Sequence, residues 1–241
     1  MFHICKEERI KVRNFRAVFF AVWMIVSAAL VGPVFAGEGT SLNAEEALAL
    51  LKEGNSRFVA MKIEHPDENT ARREETSANG QKPFAAVLGC ADSRVPVEII
   101  FDRGIGDIFV VRVAGNIAMD SSVTGSLEYA VGHLKVPLLV VLGHTQCGAV
   151  GAAVSGAKLE GGIRDIQEKI EPVVKEVEKK YPDLQGPALT NEVVKQNIFQ
   201  TEKDLLSGSE AIRGLAAQGA LKIVPAVYDV MTGKVDWLEK K

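Results

Sequence analysis

Three residues of this chain carry the side chains of a soft-metal site: Cys90, His144 and Cys147. Thiolate and imidazole are zinc ligands, and three protein ligands with an open fourth position is the catalytic arrangement of zinc. His144 and Cys147 are separated by two residues within Gly143-His-Thr-Gln-Cys-Gly148, so one turn can present both. Cys90 stands in Gly89-Cys-Ala-Asp-Ser-Arg94, with 53 residues between it and His144. Each has a plainer account when taken alone. The cysteines could be inert buried thiols or, in an oxidising compartment, a disulfide, and a lone histidine is more often structural than a ligand. A disulfide gives no reason for a histidine so close to Cys147. The set is therefore read as a site for one Zn2+ per chain.

Asp92 and Arg94 follow Cys90 directly, on either side of Ser93. A carboxylate paired with a guanidinium stays ionised at neutral pH. It can accept a hydrogen bond from a zinc-bound hydroxide and orient it, while Arg94 holds it off the metal. Without Cys90 beside them the two would be only a surface turn pair. Glu98 and Asp102 are further carboxylates, for which helical exposure is the simpler explanation. His65, in a polar segment, and His133, near a helix end, are read as bystanders.

These residues need strands to position them. Phe84-Ala-Ala-Val-Leu88 and Pro137-Leu-Leu-Val-Val-Leu142 are apolar runs ended by glycine, which predicts buried strands with the ligands just beyond their ends. Open α/β sheets bind ligands in that crevice. A third apolar run, 107–113, lies between them. A helix beginning near Ser121 or Ser122 presents Val123, Leu127, Ala130, Val131 and Leu134 at helical spacing. Strand, helix and strand in alternation predict parallel pairing with right-handed crossovers. Val95 to Arg103 is expected to be a short helix or turn.

Upstream, Asn43 reads as an N-cap answered by Glu46, with Leu42 placed to staple the entry. Ala44, Ala47, Leu48, Leu51, Asn55 and Phe58 then form an apolar stripe. This N-terminal helical arm precedes a long polar segment, His65 to Lys82, and its stripe must find a surface at some distance, by default the chain's own core, with a partner subunit as the other candidate. Downstream, helices are expected over 150–154, over 163–180 and from a Thr190 cap to about Leu206. A strand over 220–230 and a hairpin return over 234–238 close the chain. The fold class is α/β, a central mostly parallel β-sheet flanked by helices, with an N-terminal helical arm.

A chain of 241 residues, 47% apolar, can bury a real core. Its net charge of −3 makes no electrostatic case for nucleic acid, and three cysteines are too few for a disulfide scaffold. Residues 1–16 carry five basic side chains, an uncharged run follows from Ala17 to Val31, and Val34-Phe-Ala36 precedes Gly37. That is the pattern of a signal peptide, cleaved after Ala36. The alternative is an uncleaved anchor, but the run is short for a span and Gly32-Pro33 interrupts its end. The expectation is export to the periplasm with no membrane contact after cleavage. Residues 37–241 would then be a single catalytic domain with 23 basic and 29 acidic side chains, keeping only Cys90 and Cys147.

The ordered motifs Cys90-Ala-Asp-Ser-Arg94-Val-Pro, Asp107-Ile-Phe-Val-Val-Arg112, Gly125-Ser-Leu-Glu-Tyr-Ala130 and Gly143-His-Thr-Gln-Cys-Gly148 resemble those of the β-class carbonic anhydrases. The resemblance runs from about Asn43 to Leu238. It implies a zinc enzyme that interconverts carbon dioxide and bicarbonate, with Cys90, His144 and Cys147 as ligands and Asp92 and Arg94 as the active-site dyad. It also implies a homodimer or a multiple of dimers, with the N-terminal helix packed on the partner. Some departures are visible. No Gln stands near Arg103-Gly104, where plant-type members place one. Val87 occupies the position of a Trp that belongs to an inhibitory bicarbonate pocket in a bacterial subset, although Arg112 and Tyr228 match the rest of that pocket.

Two other readings stand beside carbonic anhydrase. One is a related zinc hydrolase acting on carbon disulfide or carbonyl sulfide. The other is an exported, non-catalytic metal-binding or disulfide-stabilised protein. A dinucleotide site is excluded at the Gly143 turn, which has neither G-x-G-x-x-G nor a Walker lysine.

Overall fold

The apolar runs become strands where their patterning places them. The structure is a computed structural model that describes residues 39–118 and 120–239, so the segment read as a signal peptide lies outside the described residues. β1 is Ala85–Gly89, β2 Ile108–Arg112, β3 Leu138–His144, β4 Lys222–Tyr228 and β5 Val235–Trp237. They form one sheet in the order β2-β1-β3-β4-β5, parallel except for β5, which pairs antiparallel with β4. β1 and β3 are buried along their whole length. Continuous Val, Leu and Ala runs are what a parallel sheet covered on both faces requires.

Alternation along these strands divides the core. Ala86, Leu88, Leu139 and Val141 face one apolar cluster, and Ala85, Val87, Leu138, Val140 and Leu142 face the other. The second cluster is closed by α1, Ala44–Val59. Its entry is the expected capping box: the Asn43 side chain accepts from the N–H of Glu46, and Glu46 accepts from the N–H of Asn43. Ala47, Leu48 and Leu51 are buried in that cluster. These residues of the stripe thus lie against this chain's own core. Asn55 ties α1 down further, donating to the carbonyls of Ile100 and Gly233 and accepting from the N–H of Val235.

Several elements differ from expectation. The polar segment contains a helix, α2, Thr70–Asn79, capped by Asn69 and with no buried residue. α3 is a single turn, Val97–Ile100, and Asp102 just after it is buried rather than exposed. Asp102 takes an ion pair from Arg57 at 2.5 Å and the backbone N–H groups of Glu64 and His65. Glu98 is exposed, His65 contacts Glu68, and His133 stacks on Tyr129.

The crossover from β2 to β3 is α4, Ser121–Glu128, capped by Asp120 and prolonged by a π turn over Tyr129–His133. The remaining helices are α5, Gly148–Val154; α6, Gly162–Lys180; α7, Gly186–Gly208; and α8, Glu210–Ala217. Thr190 is no cap: its hydroxyl donates to the carbonyl of Gly186 inside α7. The helix starts earlier because Pro187 occupies its first turn, where a missing N–H is harmless. The apolar pattern of the sequence does not predict α8. Among the described residues no helix is long and apolar enough to cross a membrane.

Candidate active site

The register of the sheet brings the ligand candidates together. Gly89 of β1 lies opposite Leu142 of β3, so Cys90 and His144 emerge at the same carboxyl edge. β3 runs two residues further than its apolar run, and His144 is its last residue, opposite Tyr228, rather than a residue beyond the strand. Cys147 follows after a turn in which Gln146 takes a left-handed φ of 57°. The turn is moored to the end of β4: Thr145 N–H donates to the Tyr228 carbonyl, and the Thr145 hydroxyl oxygen accepts from the N–H of Val230.

Cys90, His144 and Cys147 are all buried, and their ligand atoms all lie within 4.8 Å of one another. The two sulfurs are 4.0 Å apart, and both cysteines are free thiols. His144 Nδ1 sits 2.9 Å from the Thr145 carbonyl oxygen. A carbonyl only accepts, so Nδ1 carries the proton and Nε2 is left with its lone pair. Nε2 is buried and has no hydrogen-bond partner among the described residues. An orphaned imidazole nitrogen facing two thiols is costly unless something electrophilic meets it. Sulfur, nitrogen, sulfur and an unused lone pair are the donor set that suits zinc.

Backbone donors converge on Cys90. Its sulfur accepts from the N–H of Asp92 at 3.4 Å and of Gly115 at 3.3 Å. Donation from the Cys147 thiol, aided by these two N–H groups, brings the Cys90 thiol well below its usual value against the effect of burial. Its charge and the same burial push Cys147 up.

Asp92 is held by Arg94 through three bonds: Nε and Nη2 reach its two carboxylate oxygens at 2.9 and 2.7 Å, and the Arg94 N–H adds another at 2.9 Å. The guanidinium keeps the Asp92 carboxyl well below the usual carboxylate range, against partial burial. Arg94 Nη2 also donates to the carbonyl of Gln146 at 3.1 Å, which bridges the Cys90 and Cys147 loops. Asp92 Oδ2 lies 3.8 Å from His144 Nε2. The structure thus gathers all five site residues read from the sequence at one sheet edge.

A family model described as carbonic anhydrase matches residues 85–235, from the first residue of β1 to the first of β5. The chain belongs to the carbonic anhydrase family. Carbonic anhydrase 2 of Mycobacterium tuberculosis is 44% identical over 196 residues, covering 80% of this chain and 91% of that protein. The carbonic anhydrase of Mycolicibacterium smegmatis is also 44% identical, over 199 residues, with 80% and 93% covered. Among solved structures, a tetrameric β-carbonic anhydrase of Sordaria macrospora superposes with a TM-score of 0.65 at 26% identity, over 77% of this chain and 93% of that one. The β-class resemblance and its mostly parallel sheet are thereby established.

Some residues around the site have roles that the sequence does not disclose. Arg112, at the end of β2, donates to the carbonyls of Cys90 at 2.9 Å and of Asp92 at 2.5 Å. It fastens the loop that carries both Cys90 and Asp92. Gly115 carries a sequence signal, since Ala-Gly-Asn ends a strand run and glycine marks an unusual backbone. The Asn197 amide that meets it carries none.

Proposed function

We propose that this carbonic anhydrase family chain catalyses the reversible hydration of carbon dioxide to bicarbonate and a proton, with one zinc ion held by Cys90, His144 and Cys147. The observation that carries the reading is the orphaned His144 Nε2 beside two buried thiols, with an ionised carboxylate 3.8 Å away. Zinc in such a site supplies Lewis acidity that makes hydroxide available near pH 7. The chain's residues supply the rest. Asp92, ionised and therefore acceptor-only, receives a hydrogen bond from the attacking water and fixes its orientation. Arg94 keeps both carboxylate oxygens engaged and so keeps Asp92 from serving as a ligand itself. The N–H groups on Cys90 Sγ draw charge from the thiolate and fix its direction.

Stopped-flow hydration of carbon dioxide by purified mature protein, with its zinc quantified, tests the reading. Catalysed hydration by protein carrying about one zinc per chain is expected. Zinc-loaded protein that leaves hydration at the buffer rate but hydrolyses carbon disulfide or carbonyl sulfide would replace it with the hydrolase reading.

Two further proposals accompany it. The tetrameric Sordaria relative supports assembly of this chain as a homodimer or a multiple of dimers. The basic, then apolar, then small-residue pattern of residues 1–36 supports export to the periplasm. Amino-terminal sequencing of the exported protein is expected to begin near Gly37, and Met1 retained there would overturn the cleavage.

A further inference from the structure

One turn of α7 touches both β3, which ends at His144, and the turn after β2 whose Gly115 meets the Cys90 sulfur. Ile198 packs against Gly143, immediately before His144: a Cβ at Gly143 would lie 2.6 Å from Ile198 Cδ1, so only glycine lets helix and strand approach this closely. One residue earlier, Asn197 is 2% exposed. Its Nδ2 donates at 2.9 Å to the carbonyl of Gly115, 82 residues away in sequence. The N–H of the same Gly115 donates to Cys90 Sγ at 3.3 Å. Gly115 has φ 72°, which glycine adopts without steric cost. A Cβ there would meet Ile170 Cδ1 at 2.9 Å. The glycine is thus held at both polar groups, its carbonyl by Asn197 and its N–H on the sulfur.

The plainer account is that Asn197 only satisfies a buried carbonyl. It leaves unexplained why the carbonyl so satisfied belongs to the residue that caps a ligand sulfur. Asn197 is also an amide set beside Val193, Val194 and Ile198 on the buried face of α7, which carries Thr201 and Glu202 one turn further on.

We propose that Asn197 is a positioning residue for the metal ligand Cys90, acting through Gly115. By fixing that glycine it keeps a hydrogen-bond donor on the Cys90 sulfur and sets both the direction and the charge of the thiolate. The inference rests on the zinc site proposed above. A group that hydrogen-bonds a metal ligand directly, as the Gly115 N–H does, is typically worth about 10–100-fold in metal affinity or activity, which is the most that releasing it through Asn197 can cost.

The test reads the metal rather than the reaction. Asn197→Leu keeps the bulk and removes the donor, and Asn197→Asp keeps the shape while setting carboxylate oxygens against a carbonyl. Both are expected to lose zinc to a chelator faster, by up to about 10–100-fold, and to shift the thiolate-to-metal charge-transfer band of cobalt-substituted protein. Ile198→Val loosens the same turn without touching the hydrogen bond. It is expected to lower thermal stability while leaving band and release rate at wild type. Folded Asn197 variants with wild-type band and release would overturn the proposal, as would an equal shift in Ile198→Val. If the Asn197 variants do not fold, the native chain answers directly. With an NMR-active cadmium isotope in the site, scalar coupling between the metal and the Gly115 amide proton is expected, and its absence overturns the contact. Wild-type protein that binds no metal would overturn the zinc site and this inference together. Metal retained without carbon dioxide hydration would strike the functional reading alone.

Discussion

Replacing Asp92 with Asn lowers carbon dioxide hydration by about 10²–10⁴-fold, the usual worth of a positioned acid–base group, while zinc content stays at the wild-type level. The amide keeps the size of the side chain but offers N–H on one of its two arms, where only acceptors were available before. Arg94 fixes which way those arms face, through bonds of 2.9 and 2.7 Å to the two oxygens. Arg94→Ala is expected to be damaging for a different reason. It frees a carboxylate whose Oδ2 already lies 3.8 Å from His144 Nε2. A small rotation then lets Asp92 compete for the position the reaction needs, so activity falls sharply with no loss of metal. A dyad that merely decorated a surface turn would leave the rate unchanged in both variants. Wild-type turnover in Asp92→Asn and Arg94→Ala would therefore remove these residues from the mechanism, even with the ligands correctly assigned.

Loss of a single ligand should be more complete still. In His144→Ala or Cys147→Ser, zinc per chain is expected to fall from about one to near zero, and hydration to the background rate, because three protein ligands are the minimum of a catalytic zinc site. The companion measurement is on the wild type. Fresh protein beginning at Gly37, denatured without oxidant, should give two thiols per chain and release about one zinc. The geometry behind this is the 4.0 Å between sulfurs that remain free thiols. No thiols and no zinc from such protein would favour the disulfide-stabilised, non-catalytic reading. A Cys147→Ser variant holding a full equivalent of tightly bound metal would show that the ligand set has been misassigned.

Much of this arrangement is legible in the amino-acid sequence alone. β1 and β3 declare themselves because strands buried on both faces must be continuously apolar. The ligands stand out because their types are rare and their place at strand ends is informative. The capping box at Asn43 and Glu46 is equally readable, since it depends only on neighbours in sequence. α2 is hidden because it buries nothing, so no apolar period marks it, although Asn69 offers a cap. α8 is short and buries only Ile212, leaving its Ser209 cap as the one signal. Asp102 looks like an exposed helical carboxylate because its partner, Arg57, lies 45 residues away. The contacts that hold the site are concealed for the same reason. Arg112 pairs with the Asp92 carbonyl 20 residues back and Asn197 with the Gly115 carbonyl 82 residues back, and no local pattern encodes either distance.

The order in which the site can come into being follows from the placing of β1 between β2 and β3. Cys90 arrives with β1, the Gly115 donor with the turn after β2, His144 and Cys147 with β3, and Asn197 only with α7. No segment shorter than this stretch carries the whole constellation. Each parallel pairing closes a long loop whose entropy is lost before the pairing stabilises anything. A metal held here would consequently not nucleate folding as it does in small zinc modules. It would be captured late, by a sheet already made, and its retention would serve as a record that the chain from β1 to α7 had folded to completion.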